Sequence, residues 1–166
     1  MVRRASSKSS ADIRKSRTMR RVPTGIVTIG YEGRTLEDFI STLRVQSVDV
    51  LVDVRLNAIS RKAGFSKTAL TAAAVAAGIE YRHEPLLGNP ISNRDGYRAG
   101  RKSARTNYRN RLANGSSETV DELVALAKKQ RIAVLCVERD HAICHRDELV
   151  NVALERSPKL RVTHAS

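Results

Sequence analysis

The chain has 166 residues, of which 30 are Lys or Arg and 17 are Asp or Glu, so its formal net charge is +13. This length suffices for one domain with a hydrophobic core, and 41% hydrophobic residues exclude a chain that is disordered throughout. No apolar run is long enough to span a bilayer, and two cysteines are too few for a disulfide scaffold, so we expect a cytoplasmic protein without a membrane partner.

Basic residues are concentrated in the first 24 positions, where eight of them face a single acidic residue, Asp12. Such a segment cannot bury enough apolar surface to offset the entropy lost on ordering. Residues 1–24 are therefore predicted to form a disordered basic tail, which attracts nucleic acid or only keeps the protein soluble. Residues 25–166 remain as one folded domain.

Strands and helices are predicted to alternate along this domain. Apolar and β-branched runs predict five strands, at 26–30, 48–55, 79–82, 132–137 and 160–164. Helical spacing and capping residues predict five helices, after Thr35, at 66–77 and 101–113, after a Ser117 cap, and at about 144–154. Residues 85–100, which contain several glycines and prolines, are expected to form a long loop. This order predicts an α/β domain with a mostly parallel sheet of four or five strands, flanked by helices.

Polar residues follow three of the predicted strands. Tyr31 follows the first strand, Asp53 and Arg55 lie at the end of the second, and Glu138 follows the fourth. Ligands of open parallel sheets bind beyond the carboxyl ends of the strands, so we expect these residues to face one crevice. Arg55 is the expected anion ligand, and Asp53, on the opposite side of the strand, is an acid–base or structural group. Tyr31 either stacks on a base or packs in the core.

Cys144, His145 and Arg146 are predicted to open the last helix. The positive end of the helix dipole and the free N–H groups there favour a thiolate, and they equally favour a bound oxyanion. Cys144 is thus a nucleophile, part of an anion-binding loop, or a small core residue. His145 or Glu138 would carry the proton. Their alternatives are a surface histidine and an ordinary ion-pair partner.

A metal site is a further interpretation of the same segment. Cys136, His141, Cys144 and His145 offer four donors within ten residues, a set that zinc would accept. Their spacing matches no established zinc pattern, and a buried structural cysteine is expected at the end of an apolar strand. We therefore assign neither a metal nor a cofactor.

A second basic stretch runs from residue 94 to residue 111. Seven basic residues are opposed there by Asp95 alone and are interleaved with Tyr97 and Tyr108. Cations around aromatic rings suit single-stranded nucleic acid, whereas a solvated and partly neutralised helix is the alternative. The candidate nucleic-acid contacts are Arg98, Arg101, Lys102, Arg105 and Arg109.

Six short motifs, in this order, resemble the DUF488 family. They lie at residues 28–31, 51–55, 60–66, 78–81 and 87–90, and in the closing pair Cys136-Val137-Glu138 and Cys144-His145-Arg146. Together they span about residues 26–155, and the closing pair is the most specific. One departure is Asn57-Ala58-Ile59, where the family tends to have a proline. The resemblance implies an α/β domain and supplies no activity.

These observations predict a hydrolase or group transferase that acts on an anionic substrate such as a nucleotide or nucleic acid. The candidate catalytic residues are Cys144, His145, Glu138 and Asp53. The candidate substrate-binding residues are Arg55, Arg61, Arg146 and Tyr31. Arg61 lies in a Ser-Arg-Lys loop, where a solvated charge is equally expected. The alternatives are a non-catalytic nucleic-acid-binding module and a structural metal-binding domain.

Overall fold

The structure is a computed structural model that describes residues 23–165. The predicted basic tail, apart from its last two residues, lies outside the described residues. Within them the chain forms five strands, β1 (Gly25–Gly30), β2 (Val50–Asp53), β3 (Glu80–His83), β4 (Arg131–Cys136) and β5 (Val162–Ala165). It also forms six α-helices, α1 (Leu36–Val45), α2 (Lys67–Ala76), α3 (Ile91–Arg98), α4 (Lys102–Asn114), α5 (Ser117–Lys129) and α6 (Arg146–Arg156).

All five strands are parallel, in the order β3-β2-β4-β1-β5, which confirms the predicted α/β class. The strands β1, β2 and β4 are buried along their whole length, as is usual where helices cover both faces of a parallel sheet. Their carboxyl ends lie side by side, because Gly30 pairs with Cys136 and Asp53 pairs with Leu135. The three segments that were expected to form a crevice therefore leave the sheet at one edge.

Side chains alternate between two core layers along the strands. Leu51 and Leu135 join Phe39 of α1 and Leu70 of α2 on one face. The other face carries Val52, Val134 and Cys136, which pack with buried residues of α3 to α6. Burial of each large apolar side chain stabilises the fold by about 1.5–3 kcal/mol. Cys136 consequently faces the same layer as the helices that follow residue 90.

Two of the three predicted N-cap residues cap their helices. The hydroxyls of Thr35 and Ser66 each accept a hydrogen bond from the backbone N–H three residues on, as predicted. Gly78 adopts a φ of 75° after α2, which confirms the predicted end of that helix. The prediction that Ser117 caps α5 is wrong, because Ser117 is already helical and Ser116 precedes it. The Ser116 hydroxyl instead donates to the carbonyl of Leu86 at 2.7 Å.

The predicted loop at 85–100 contains a helix, α3, and a short 3-10 turn at Pro85–Leu87. Pro90 and Gly100 bound the helix rather than disrupt it, since Pro90 precedes its first turn and Gly100 follows with a φ of 70°. Tyr97 anchors α3, because its ring is buried and lies edge-on to that of Tyr108 with 6.2 Å between centroids. None of the helices within residues 23–165 is long and apolar enough to cross a membrane.

Candidate active site

A cavity of about 100 Å³ lies where the segments after β2 and β4 meet α3 and the start of α6. Four of the candidate catalytic and substrate-binding residues line it: Arg55, Glu138, Cys144 and His145. Cys136 lines it as well, together with three residues of α3: Arg94, Tyr97 and Arg98. The cavity lies beyond the carboxyl ends of β2 and β4, as expected, but Tyr31 and Asp53 do not line it. The helix α3, in a segment that was expected to be a loop, supplies one wall.

Cys144 lies in an extended link between a 3-10 turn, His141–Ile143, and the first residue of α6. The predicted helix thus begins two residues later than expected, and the cysteine precedes it. Arg146 Nε donates a hydrogen bond to Cys144 Sγ at 3.3 Å, and Arg146 Nη2 donates to the main-chain carbonyl of Glu138. The Arg146 side chain bends back over the loop and is 0% exposed.

The positive charge of Arg146 is buried and therefore requires a negatively charged group nearby. Among the described residues, no carboxylate forms an ion pair with it, and Cys144 Sγ is the one side-chain acceptor that it contacts. An uncompensated buried charge costs several kcal/mol, so this geometry favours the ionised form of Cys144. Burial by itself raises the pKa of Cys144, but the Cys136 thiol, His145 and Arg146 outweigh burial and hold that pKa well below its ordinary value.

The pKa of Cys136 is shifted in the opposite direction. The adjoining sulfur of Cys144 and burial together raise the pKa of Cys136 well above its ordinary value. Its Sγ lies 3.4 Å from Glu138 Oε2, to which a thiol can donate. Of the two sulfurs at the floor of the cavity, Cys144 therefore favours the thiolate and Cys136 favours the thiol.

His145 is oriented to exchange a proton with either sulfur. Its Nε2 lies 3.4 Å from the carbonyl oxygen of Val54, which accepts only if Nε2 carries the hydrogen. Nδ1 is then the free acceptor, and it lies 3.8 Å from the sulfurs of both Cys136 and Cys144. The imidazole is buried against the edge of the Tyr108 ring, with 5.2 Å between centroids, so it is not a surface histidine.

Glu138 connects the floor of the cavity to its rim. Its Oε1 accepts a hydrogen bond from Arg98 Nη2 at 2.8 Å, while Oε2 faces Cys136. Arg98 is 51% exposed, and among the described residues Arg94 donates only to the carbonyl of Asn89. Within this part of the chain both guanidiniums therefore keep donors free for an incoming anion.

Asp53 and Arg55 bind each other. Arg55 Nε lies 2.8 Å from Asp53 Oδ1, and Arg55 Nη2 lies 2.5 Å from Asp53 Oδ2. The expectation that they point to opposite sides is wrong, since residues i and i+2 of an extended segment share a face. Arg55 Nη1 donates to the carbonyl of Phe65, so its remaining donor group is also occupied. Tyr31 packs in the core, with its ring stacked on Phe65 at 4.5 Å and the Arg55 guanidinium over it at 5.3 Å.

Other candidate cations lie apart from the cavity. Arg61 is exposed and is not among the cavity-lining residues. Arg105 pairs with Asp147 at 3.2 Å, and Arg109 pairs with Glu148 at 2.6 Å. Arg101 and Lys102 are exposed. The acidic face of α6 therefore neutralises much of the basic helix α4.

Three donors could hold a metal ion. The sulfurs of Cys136 and Cys144 and a ring nitrogen of His145 lie within 4.8 Å of one another. His141, the fourth donor of the predicted set, lies elsewhere, where its ring stacks on that of His164 at 3.7 Å. The buried guanidinium of Arg146 at Cys144 would repel a divalent cation, so the charge distribution fits a thiolate without metal better.

The family model for "Domain of unknown function DUF488" matches residues 35–153. The chain belongs to this family. The match runs from the cap of α1 into α6 and includes every residue that lines the cavity. No curated protein matches the chain. Function in this DUF488 domain must therefore be argued from the chemistry of the cavity.

Cys136, Arg94 and Tyr97 line the cavity of the DUF488 domain but were not among the predicted catalytic or binding residues. A helical reading of α3 would have found the last two, because residues 94, 97 and 98 share one face at the spacing i, i+3 and i+4. Cys136 stands in the closing motif and in the candidate zinc set, but the closeness of its sulfur to that of Cys144 depends on the path of the loop between them, which no local signal predicts.

Gly30 sets the position of this loop in the DUF488 domain. A Cβ at residue 30 would overlap the carbonyl oxygen of Glu138, the oxygen to which Arg146 donates. We expect Gly30→Ala to lower the free energy of unfolding by about 1–3 kcal/mol, as for overpacked core positions, and to slow thiol labelling of Cys144. Urea denaturation and mass-resolved labelling measure the two effects.

Gly115→Ala is the matched control for that substitution. A Cβ at residue 115 meets only the carbonyl oxygen of Arg111, at 3.5 Å, and Gly115 has a φ of −116°. This variant should stay within about 0.5 kcal/mol of the parent. Equal stability losses in the two variants would contradict the role assigned to Gly30.

Proposed function

We propose that this DUF488 protein is a cysteine-dependent hydrolase or group transferase whose nucleophile is the Cys144 thiolate. The observation that carries the proposal is the buried Arg146 guanidinium, whose one side-chain partner among the described residues is Cys144 Sγ. The thiolate is the reactive form of cysteine, and an adjacent cation that stabilises it is a hallmark of catalytic rather than structural thiols.

In the proposed reaction, Cys144 Sγ attacks an electrophilic centre of the substrate and the bond to the leaving group breaks. His145 Nδ1, which faces Cys144 Sγ at 3.8 Å, holds the proton that Cys144 gives up and passes it to the leaving group. Water, or an acceptor in a transferase, then attacks the intermediate and gives its proton to His145 Nδ1, and the bond to Cys144 Sγ breaks to restore the thiolate. Val54 fixes the imidazole in the required tautomer through its carbonyl.

The substrate that we propose is anionic. Arg94 and Arg98 line the cavity, and within residues 23–165 each keeps guanidinium donors without a partner. Guanidinium forks suit phosphate and carboxylate groups. A cavity of about 100 Å³ holds one such group, so a nucleotide would insert its charged end and leave its base outside. The pairing of α4 with α6 makes a small anion a better substrate than nucleic acid. Two free thiols fit the reducing cytoplasm as the compartment.

Thiol labelling across pH tests the proposal. The native protein is treated with methyl methanethiosulfonate, a small reagent, at pH values from about 5 to 9, and the modified cysteine is located by mass spectrometry. Because the pKa of Cys144 is lowered, its labelling should persist well below the ordinary thiol midpoint of ~8.5 and fall only as the pH drops through the lowered pKa.

The control is Cys144→Ser, which leaves Cys136 as the only thiol in the chain. In this variant the raising effect of Cys144 is gone, but burial still raises the pKa of Cys136, which predicts little labelling of Cys136 up to about pH 9. A midpoint for Cys144 near ~8.5, or faster labelling of Cys136, would contradict the proposal. So would one equivalent of zinc in the purified protein, measured by metal analysis.

A further inference from the structure

The proposed reaction leaves Cys136 without a chemical role, although its position is unusual. Its sulfur and that of Cys144 lie within 4.8 Å of each other, and both residues line the same cavity as free thiols. An S–S bond of ~2.05 Å requires the two sulfurs to approach by no more than about 3 Å. The pair is therefore poised for a covalent reaction that a single catalytic cysteine would not need.

We propose that Cys136 and Cys144 form a reversible disulfide when the cavity admits a hydroperoxide, Cys144 being the sulfur that is oxidised and Cys136 the sulfur that resolves it. The inference rests on the proposed function in one respect, the nucleophilic character of Cys144. Beyond that function, it assigns hydroperoxides as the oxidant, Cys136 as a second reactive residue, and disulfide formation as the step that inactivates the site.

The first step consumes the peroxide. Cys144 Sγ attacks the terminal oxygen of ROOH, the O–O bond breaks, and the two electrons of the thiolate reduce the peroxide. The sulfur becomes a sulfenic acid, and the departing alkoxide or hydroxide takes the proton held at His145 Nδ1 and leaves as ROH. Hydrogen peroxide is close to water in size, so a cavity of about 100 Å³ accommodates it.

The second step forms the disulfide. Cys136 Sγ attacks Cys144 Sγ, the S–O bond breaks, and the hydroxyl leaves as water with the proton of the Cys136 thiol. Glu138 Oε2, at 3.4 Å from Cys136 Sγ, is placed to relay this proton. Both sulfurs end in the same oxidation state, and two external thiols such as glutathione reverse the reaction.

The fold decides which sulfur moves. Cys136 is the last residue of β4, fixed by its parallel pairing with Gly30 in the interior of the sheet. Cys144 follows a 3-10 turn and precedes α6, so it can shift without breaking a helix or strand. Formation of the bond withdraws its sulfur from Arg146 and removes the nucleophile. The disulfide thereby also protects Cys144 from irreversible oxidation.

The experiment treats the full-length protein with one to ten molar equivalents of hydrogen peroxide near neutral pH and follows intact mass. We expect the protein to lose about 2 Da, with both thiols blocked to alkylation and both restored by dithiothreitol. In Cys136→Ser, the same treatment should add about 16 Da, and the product should react with dimedone, the reagent for sulfenic acids, at Cys144. Cys144→Ser should show neither product, since Cys136 alone is not attacked.

The outcomes of this experiment distinguish a failure of the disulfide inference from a failure of the proposed function. If Cys144 labels readily at low pH but peroxide yields only sulfenic or sulfinic acid in the native protein, the disulfide is refuted and the nucleophile stands. If peroxide links two chains rather than two residues of one chain, seen on non-reducing gels, the inference is also refuted. If Cys144 is inert to both reagents while the protein is folded, the proposed function fails with it.

Discussion

Replacing Asp53 by asparagine is expected to lower the free energy of unfolding by about 3–5 kcal/mol, the usual cost of removing one partner of a buried ion pair. Asp53 is 0% exposed and Arg55 is 3% exposed, and two pairs of their polar atoms approach within 2.8 Å. Asparagine keeps the shape of the side chain but leaves the Arg55 guanidinium buried without an opposing charge. The loss should appear in urea denaturation at neutral pH.

Glu80→Gln is the control for that experiment. Glu80 also pairs with an arginine two residues away, Arg82, at 2.7 Å, but both side chains are about half exposed. Exposed pairs contribute about 0–1 kcal/mol, so this variant should be nearly as stable as the parent. A cost for Asp53→Asn below about 1 kcal/mol would show that Arg55 finds other partners and that the pair does not hold the segment after β2 in place.

The contrast between these two pairs shows what sequence can tell about the site. Asp53 and Arg55 were recognised as candidates because they end a hydrophobic strand. Their mutual pairing depends on burial, and Asp53 Oδ2 also accepts a hydrogen bond at 2.6 Å from the Tyr81 hydroxyl of the neighbouring strand β3. A contact between strands is not encoded in the spacing along either one, so the sequence predicted the residues without their roles.

The sequence predicted the fold more completely than it predicted the site. Continuous apolar runs predicted β1, β2 and β4, because strands covered on both faces need no polar alternation. The helix α3 was missed because its glycine and the proline before it are typical of loops, whereas its stability depends on burial of Tyr97 against Tyr108. Tertiary packing overrode local propensity there, and the missed helix carries the two arginines that we place at the mouth of the cavity.

Buried charge also makes the expected effects of replacing Cys144 and Cys136 on stability different. We expect Cys144→Ala to lower the free energy of unfolding by about 3–5 kcal/mol at high pH, since it leaves the buried Arg146 cation without an anion. Cys136→Ala removes a buried sulfur that, among the described residues, no guanidinium contacts, and it should cost about as much as a deleted methyl group, about 0.5–1.5 kcal/mol.

The pH dependence of this difference has a definite sign. The pKa of Cys144 is lowered in the folded protein, so the thiolate stabilises the fold fully above the ordinary thiol pKa of ~8.5. That contribution declines below this pH and is lost as the pH falls through the lowered value. Urea denaturation at several pH values should show the difference between Cys144→Ala and Cys136→Ala narrowing as the solution is acidified.

Arg146→Met completes the test. It removes the cation but keeps a side chain of similar length, and Cys144 can then take up a proton instead of remaining as an uncompensated charge. We therefore expect a smaller loss of stability than in Cys144→Ala, and a labelling midpoint for Cys144 that rises by about 1–2 pH units, the equivalent of one hydrogen bond to a charged group. Arg146→Lys keeps the charge and should recover part of that shift. Two results together would mean that Cys144 is a neutral core thiol. One is an equal loss of unfolding free energy in Cys144→Ala and Cys136→Ala, and the other is a labelling midpoint for Cys144 that does not change when Arg146 is replaced.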